Sequence, residues 1–208
     1  MRIGIIGAGM IGGTLADLWA EAGHETCKSS RHPEKLSPAA GGTVGTVEEA
    51  AAFGEVVLLA VPFGATAKLS AQVRRTLEGK VVLDAGNPFP RRDGSIVDEV
   101  AKSRTGSGAW TQSHLPGAKV VKAFNTVYFE KMKTSGKDGK APVGVPLAGD
   151  DAGALATAAQ LVRDAGMDPV EIGPLKTAAQ FDPGTPLWNS KATALEIRDA
   201  LVGGGEAP

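Results

Sequence analysis

Residues Ile3 to Gly13 read Ile-Gly-Ile-Ile-Gly-Ala-Gly-Met-Ile-Gly-Gly, and they constrain the fold more than any other stretch. The apolar run Ile3 to Ile6 predicts a buried strand, and Gly7-x-Gly9-x-x-Gly12 follows directly before an apolar-periodic helix. This is the strand, turn and helix context of a diphosphate-binding turn. Gly7 permits the tight turn, Gly9 lets backbone approach a diphosphate, and Gly12 lets the helix lie close on the strand. The helix N-terminus adds free N–H groups and positive dipole. With Ala8, Met10 and Ile11 between them, these residues form the expected cradle. Leu15, Leu18 and Trp19 give the helix an apolar face, and Gly23 ends it near Ala22.

The second constraint lies at the tip of the next predicted strand, His24 to Ser29, where the chain continues Ser30-Arg31. In dinucleotide folds an acid at this tip accepts from the adenosine 2′-hydroxyl, whereas an arginine accommodates a 2′-phosphate. Here the tip offers Ser30, Arg31 and, a turn later, Lys35. Glu25 stands at the far end of the strand, and Glu34 is offset by the lysine beside it. A guanidinium binds phosphate bidentately. The reading is therefore NADP(H) rather than NAD(H).

Thr43 to Val47 predicts a short third strand, and Thr46-x-x-Glu49 has the pattern of a capping box. Glu55 to Val61 reads as a buried strand whose exit, Ala60-Val61-Pro62-Phe63, faces the cofactor, with Phe63 packing on the nicotinamide side. A helix from 65 to 77 leads to a strand at 80–84 and to Asn87 at its exit. The pattern loosens between 88 and 117, with weak helices at 96–102 and 109–115. A sixth strand, 119–123, ends at Asn125 and Thr126, which are candidate contacts for the carboxamide or the acceptor. Further predicted elements are a short helix from Tyr128 to Met132, a strand at 143–148, a helix at 152–165, a strand at 168–172 and an amphipathic helix at 185–201. Gly203 to Pro208 reads as a frayed tail.

Strands alternating with helices give an α/β chain with a doubly wound, mostly parallel sheet, the Rossmann fold. Residues 1–175 form the NADP(H)-binding domain, with an irregular insertion near 88–117, and residues 176–208 form a helical appendage. The short chain and the apolar Leu187, Trp188, Leu195 and Leu201 point to a homodimer contact through the last helix.

At 208 residues, two full domains would be cramped. With 22 basic and 23 acidic residues and no basic block, nothing favours nucleic acid or an anionic membrane, so the expected partner is a small-molecule electron acceptor. No apolar run approaches a membrane span, and Asp17 and Glu21 interrupt the one resemblance to a signal peptide, which points to a cytoplasmic protein. The single cysteine, Cys27, falls in a buried strand and reads as core. No metal site is expected.

Several motifs together resemble a known family, the NADPH-dependent reductases of the deazaflavin coenzyme F420. They are Gly7-Ala-Gly-Met-Ile-Gly12, Ser30-Arg31-His-Pro-Glu-Lys35, Val61-Pro62-Phe63, Lys122-Ala-Phe-Asn-Thr126, Gly149-Asp150-Asp151 and Gly173-Pro174-Leu175, and they span most of the chain. The resemblance implies that Ser30, Arg31 and Lys35 hold the 2′-phosphate and that the acceptor is coenzyme F420 or a flavin. Lys122-x-Phe-Asn-x-Val127 is also similar to the cytosolic domain of the six-transmembrane ferric reductases. Asn125 stands where the deazaflavin reductases carry histidine.

Hydride transfer to a flavin-like ring needs stacking rather than a protein acid, so no catalytic acid is assigned, and His24, His32 and His114 are given packing or solvated roles. The alternatives are reduction of a small carbonyl or a ferric chelate, and an NADPH-sensing module that binds without turnover.

Overall fold

The computed structural model describes residues 1–137 and 139–203, and the predicted tail from 204 to 208 lies outside them. Strand β1 (Arg2–Ile6) leads through the glycine turn into α1 (Met10–Glu21), and β2 (Glu25–Ser29) follows. Next come β3 (Thr43–Gly45), α2 (Val47–Phe53) and β4 (Val56–Leu59). The third strand stops at Gly45 because Thr46 is taken as the cap of α2: its hydroxyl accepts from the Glu49 N–H at 3.1 Å, and Glu49 accepts from the Thr46 N–H at 2.8 Å.

The single helix expected over 65–77 is two pieces, a 3-10 turn at Phe63–Lys68 and α3 (Ala71–Thr76). Ser70 divides them, since its hydroxyl accepts from the Val73 N–H at 3.2 Å and starts a new helix there. After β5 (Val81–Asp84) comes α4 (Pro90–Asp93), and the two helices expected at 96–102 and 109–115 are α5 (Ser95–Ser103) and α6 (Gly106–His114), each somewhat longer or earlier than read. The remainder is β6 (Lys119–Lys122), α7 (Phe129–Thr134), β7 (Gly144–Gly149), α8 (Ala152–Asp164), β8 (Asp168–Gly173), a 3-10 turn at Leu175–Gln180 and α9 (Ala194–Gly203). The helix expected from 185 begins only at Ala194. Pro183, Pro186 and the left-handed Asn189 (φ 54°) keep the preceding segment irregular until Thr193 and Glu196 cap α9.

The sheet has eight strands in the order β3-β2-β1-β4-β5-β6-β7-β8. The first six run parallel, β7 is antiparallel to β6, and β8 is parallel to β7. Successive residues of each strand alternate between two cores. Ile5, Leu58, Leu83 and Val121 join Leu15, Trp19 and Leu161 on one face, while Ile6, Leu59, Val82 and Val120 join Val73, Leu77 and Leu115 on the other. This doubly wound, mostly parallel sheet puts the exits of β1, β2, β4, β5 and β6 along one edge.

The C-terminal segment is not separately packed. Phe181, Leu187, Ala194 and Ile197 share a core with Ala148 of β7 and Val170 of β8, and Leu201 lies against it. Of the apolar residues that suggested a homodimer contact, Leu195 is the exposed one.

Trp19 links α1 to α8 and to Phe124 beyond β6. It is fully buried, donates to the Leu161 carbonyl at 2.8 Å and meets the Phe124 ring edge-on at 5.8 Å. Trp19→Ala should lower stability by about 3–5 kcal/mol in urea unfolding. A loss below about 1 kcal/mol would mean that α1 and α8 repack without it.

Candidate active site

Two clefts lie along the strand exits. The first, of about 340 Å³, is bounded by the glycine turn, the β2 tip and the β4 exit. The Gly7 and Ala8 N–H groups both donate to the Ser29 carbonyl, at 3.1 and 2.9 Å, which ties the turn to the β2 tip. Gly7 has φ +103°, and a Cβ on Gly12 would stand 2.1 Å from the Gly7 carbonyl oxygen. Gly9 is the contrasting case, since a Cβ there would meet nothing within 4 Å. Gly9 is also the N-cap of α1 and supplies no side-chain cap, so the N–H groups of the first turn face open space above it.

Ser30, Arg31 and Lys35 line the same cleft, with Ala60, Val61 and Pro62 on its far wall. Glu34 pairs with His32 at 3.3 Å, and among the described residues Arg31 and Lys35 form no ion pair. The donor set, two cations and a hydroxyl beside an uncapped helix N-terminus, suits a diphosphate that also carries a 2′-phosphate.

The second cleft, of about 140 Å³, opens at the β5 and β6 exits. Ile11 from α1 lines it, with Asn87, Asn125, Thr126, Tyr128, Trp188 and Asn189. Phe124 enters the left-handed region, at φ 63°, and reverses the chain after β6 so that Asn125 and Thr126 reach this cleft. The two amides hold each other: Asn87 Nδ2 donates to the Asn125 carbonyl at 2.8 Å, and Asn125 Nδ2 donates to Asn87 Oδ1 at 3.2 Å and to the Phe181 carbonyl at 3.1 Å. Asn125 Oδ1 and Thr126 Oγ1 are buried without a hydrogen-bond partner. Orphaned buried polar atoms are uncommon, and of the four among the described residues two lie at this cleft, open to a ligand as partner.

Phe63 departs from the sequence expectation. Its side chain is 0% exposed and lies tilted on Trp110 at 4.5 Å, so it supports the site from behind and has no face toward a nicotinamide. Met10, by contrast, is 66% exposed at the start of α1.

Several residues of the site edge were not read from the sequence. Asp84 and Lys122 form a buried ion pair at 3.0 Å behind Asn87 and Asn125. Opposite charges at the last positions of two apolar strands, Val-Val-Leu-Asp and Lys-Val-Val-Lys, were the available signal. Tyr128 carries no such signal, and Trp188 and Asn189 fall within the stretch 185–201 whose pattern reads as a helix. At the rim, Arg92 lies 5.1 Å from the centre of the Phe89 ring and bonds to Asp93 at 2.9 Å. Burial raises the pKa of Asp93, but donation by Arg92 and by the Phe89 and Gly64 N–H groups outweighs it and holds the carboxyl below its ordinary value.

The histidines serve elsewhere. His24 pairs with Asp164 at 2.9 Å, His32 with Glu34, and His114 stacks on Trp110 at 4.0 Å. Cys27 is buried. No helix among the described residues is long and apolar enough to cross a membrane.

Comparison with known proteins places this edge in context. Residues 2–88 match the family model described as NADP oxidoreductase, coenzyme F420-dependent. The F420-dependent NADP reductase of Methanothermobacter thermautotrophicus is 30% identical over 221 residues, covering 97% of this chain and 94% of that protein. Metalloreductase STEAP3 of Rattus norvegicus is 27% identical over 187 residues, and the match takes in 87% of this chain but only 36% of that protein's length. A structure from Arthrobacter sp. FB24, proposed to be an F420-dependent NADP reductase, superposes with a TM-score of 0.73 at 28% identity, covering 86% of this chain and 87% of that one.

The contrast between two glycines gives a test. Gly9→Ala adds a methyl group in open space at φ −76°, so its melting temperature should stay within about 2 °C of wild type while NADPH binding weakens about tenfold or more by titration calorimetry. Gly12→Ala should lose stability first. Unchanged NADPH affinity in Gly9→Ala would remove the diphosphate from this turn.

Proposed function

Because this chain belongs to the family of coenzyme F420-dependent NADP oxidoreductases, we propose that it passes hydride between NADP(H) and a flavin-like acceptor, coenzyme F420 or a flavin, at the Asn87–Asn125 cleft. The chain is an NADP-dependent oxidoreductase, and the nicotinamide ring is the part of NADP(H) that exchanges hydride. In this reading Gly7, Ala8, Gly9, Met10, Ile11 and Gly12 lie along the diphosphate. Ser30, Arg31 and Lys35 take the 2′-phosphate, and Ala60, Val61 and Pro62 form the wall between the two ends. Asn87, Asn125 and Thr126 face the nicotinamide.

The observation that carries the acceptor class is the make-up of the second cleft. Its described lining joins aromatic and apolar side chains with amides and the Thr126 hydroxyl, and Tyr128 is the one titratable group among them. Transfer to a flavin-like ring needs a flat, oriented contact and little proton transfer by protein, which this lining supplies. Trp188 and Tyr128 border the space in which such a ring would lie. A carbonyl acceptor needs a proton donor, and the Tyr128 hydroxyl is the group that would serve it.

Two measurements test this reading. Arg31→Ala should weaken NADPH binding about 10- to 100-fold while leaving NADH binding nearly unchanged, and equal losses would sink the 2′-phosphate assignment. Oxidation of NADPH, followed at the nicotinamide absorbance, should occur with coenzyme F420 or flavin mononucleotide in preference to ferric chelates and small ketones. Turnover of ketones alone, lost in Tyr128→Phe, would establish the carbonyl reading, and tight binding without turnover of any acceptor would make the protein a sensor.

A further inference from the structure

Asp84 and Lys122 end β5 and β6 directly opposite one another, and their side chains are 1% and 0% exposed. Lys122 Nζ donates to Asp84 Oδ2 at 3.0 Å and to the Gly86 carbonyl. The carboxylate is otherwise filled by Thr111 Oγ1 and the Gly86 N–H, each donating at 2.8 Å. The Phe63 ring, 5.5 Å from the ammonium group, closes the apolar side.

Taking two charges out of water costs more than burying apolar side chains of the same size, so such a pair is poor evidence for stability. It does fix geometry. Gly86, clamped at both its N–H and its carbonyl, is followed directly by Asn87, and Asn87 exchanges two hydrogen bonds with Asn125, three residues beyond Lys122. The contacts therefore run as a closed ring across both strand exits and through both amides of the second cleft. Neither charged group itself lines that cleft.

We propose that Asp84 and Lys122 are positioning residues. The pair holds the Asn87–Asn125 couple in place, and through it the nicotinamide ring, while contributing little to fold stability or to cofactor affinity, which the phosphate end supplies. This rests on the reading that the second cleft receives the nicotinamide.

The reduced nicotinamide is itself the fluorophore of NADPH, so its lifetime and anisotropy at saturation report how firmly the ring is held. Lys122→Met alone strands a buried carboxylate and is a poor test. The double variant Asp84→Asn/Lys122→Met neutralises both partners with side chains of similar size. It should melt within a few degrees of wild type and bind NADPH within about threefold, yet the bound fluorophore should show lower anisotropy and a lifetime shortened toward that of free NADPH. An unchanged lifetime and anisotropy at unchanged affinity would overturn the proposal, and so would a double variant that does not fold or loses affinity broadly. A wild-type lifetime equal to that of free NADPH would instead remove the nicotinamide from this cleft, and the inference with it.

Discussion

The turn from β1 into α1 permits no side chain where backbone meets backbone, and the rest of the site depends on that closeness. A Cβ at Gly7 would press on the Ala60 carbonyl, and one at Gly12 on the Gly7 carbonyl, so α1 can start directly over the edge of β1 and β4 only with glycine at both places. Because α1 starts there, its open N–H groups face the first cleft and Ile11, one residue into the helix, borders the second. A single tight turn thus borders both clefts.

The two clefts are chemically unlike. The first combines cations with backbone N–H groups and suits phosphate; the second is lined by aromatic rings and amides and suits a neutral ring. In the proposed reading such a division supplies affinity at one end and leaves orientation to the other. At the orienting end the backbone is left-handed at Phe124 and at Asn189, and two buried polar atoms lack partners. Unfavourable features of this kind concentrate where a protein must hold a geometry that its local sequence does not prefer.

Much of the fold was legible because it rests on short-range rules. The strand β1, the glycine turn and α1, the Thr46–Glu49 capping box, and the alternation of buried strands with helices could each be read from residues close in sequence. The first cleft was legible for the same reason, since Ser30, Arg31 and Lys35, which line it, lie within one tip and its following turn. The second cleft was less so. Phe63 sits beside cleft-lining Pro62 in sequence, yet its ring turns inward onto Trp110, a contact that depends on where α6 packs. Trp188 and Asn189 reach the second cleft only because Pro183 and Pro186 prevent the helix that an apolar pattern alone suggested, and Asp84 meets Lys122 only through the β5–β6 register.

The central claim is direct hydride transfer from the nicotinamide to a flavin-like ring. Deuterium on the transferring face of the nicotinamide C4 reports it most directly when the acceptor is coenzyme F420, because the carbon that receives hydride in a deazaflavin keeps the label, whereas a flavin nitrogen exchanges it with water. With stereospecifically labelled NADPH, mass spectrometry of the reduced deazaflavin should find one deuterium retained. Reduced product without the label from either face, or reduction of neither the deazaflavin nor a flavin, would contradict the account.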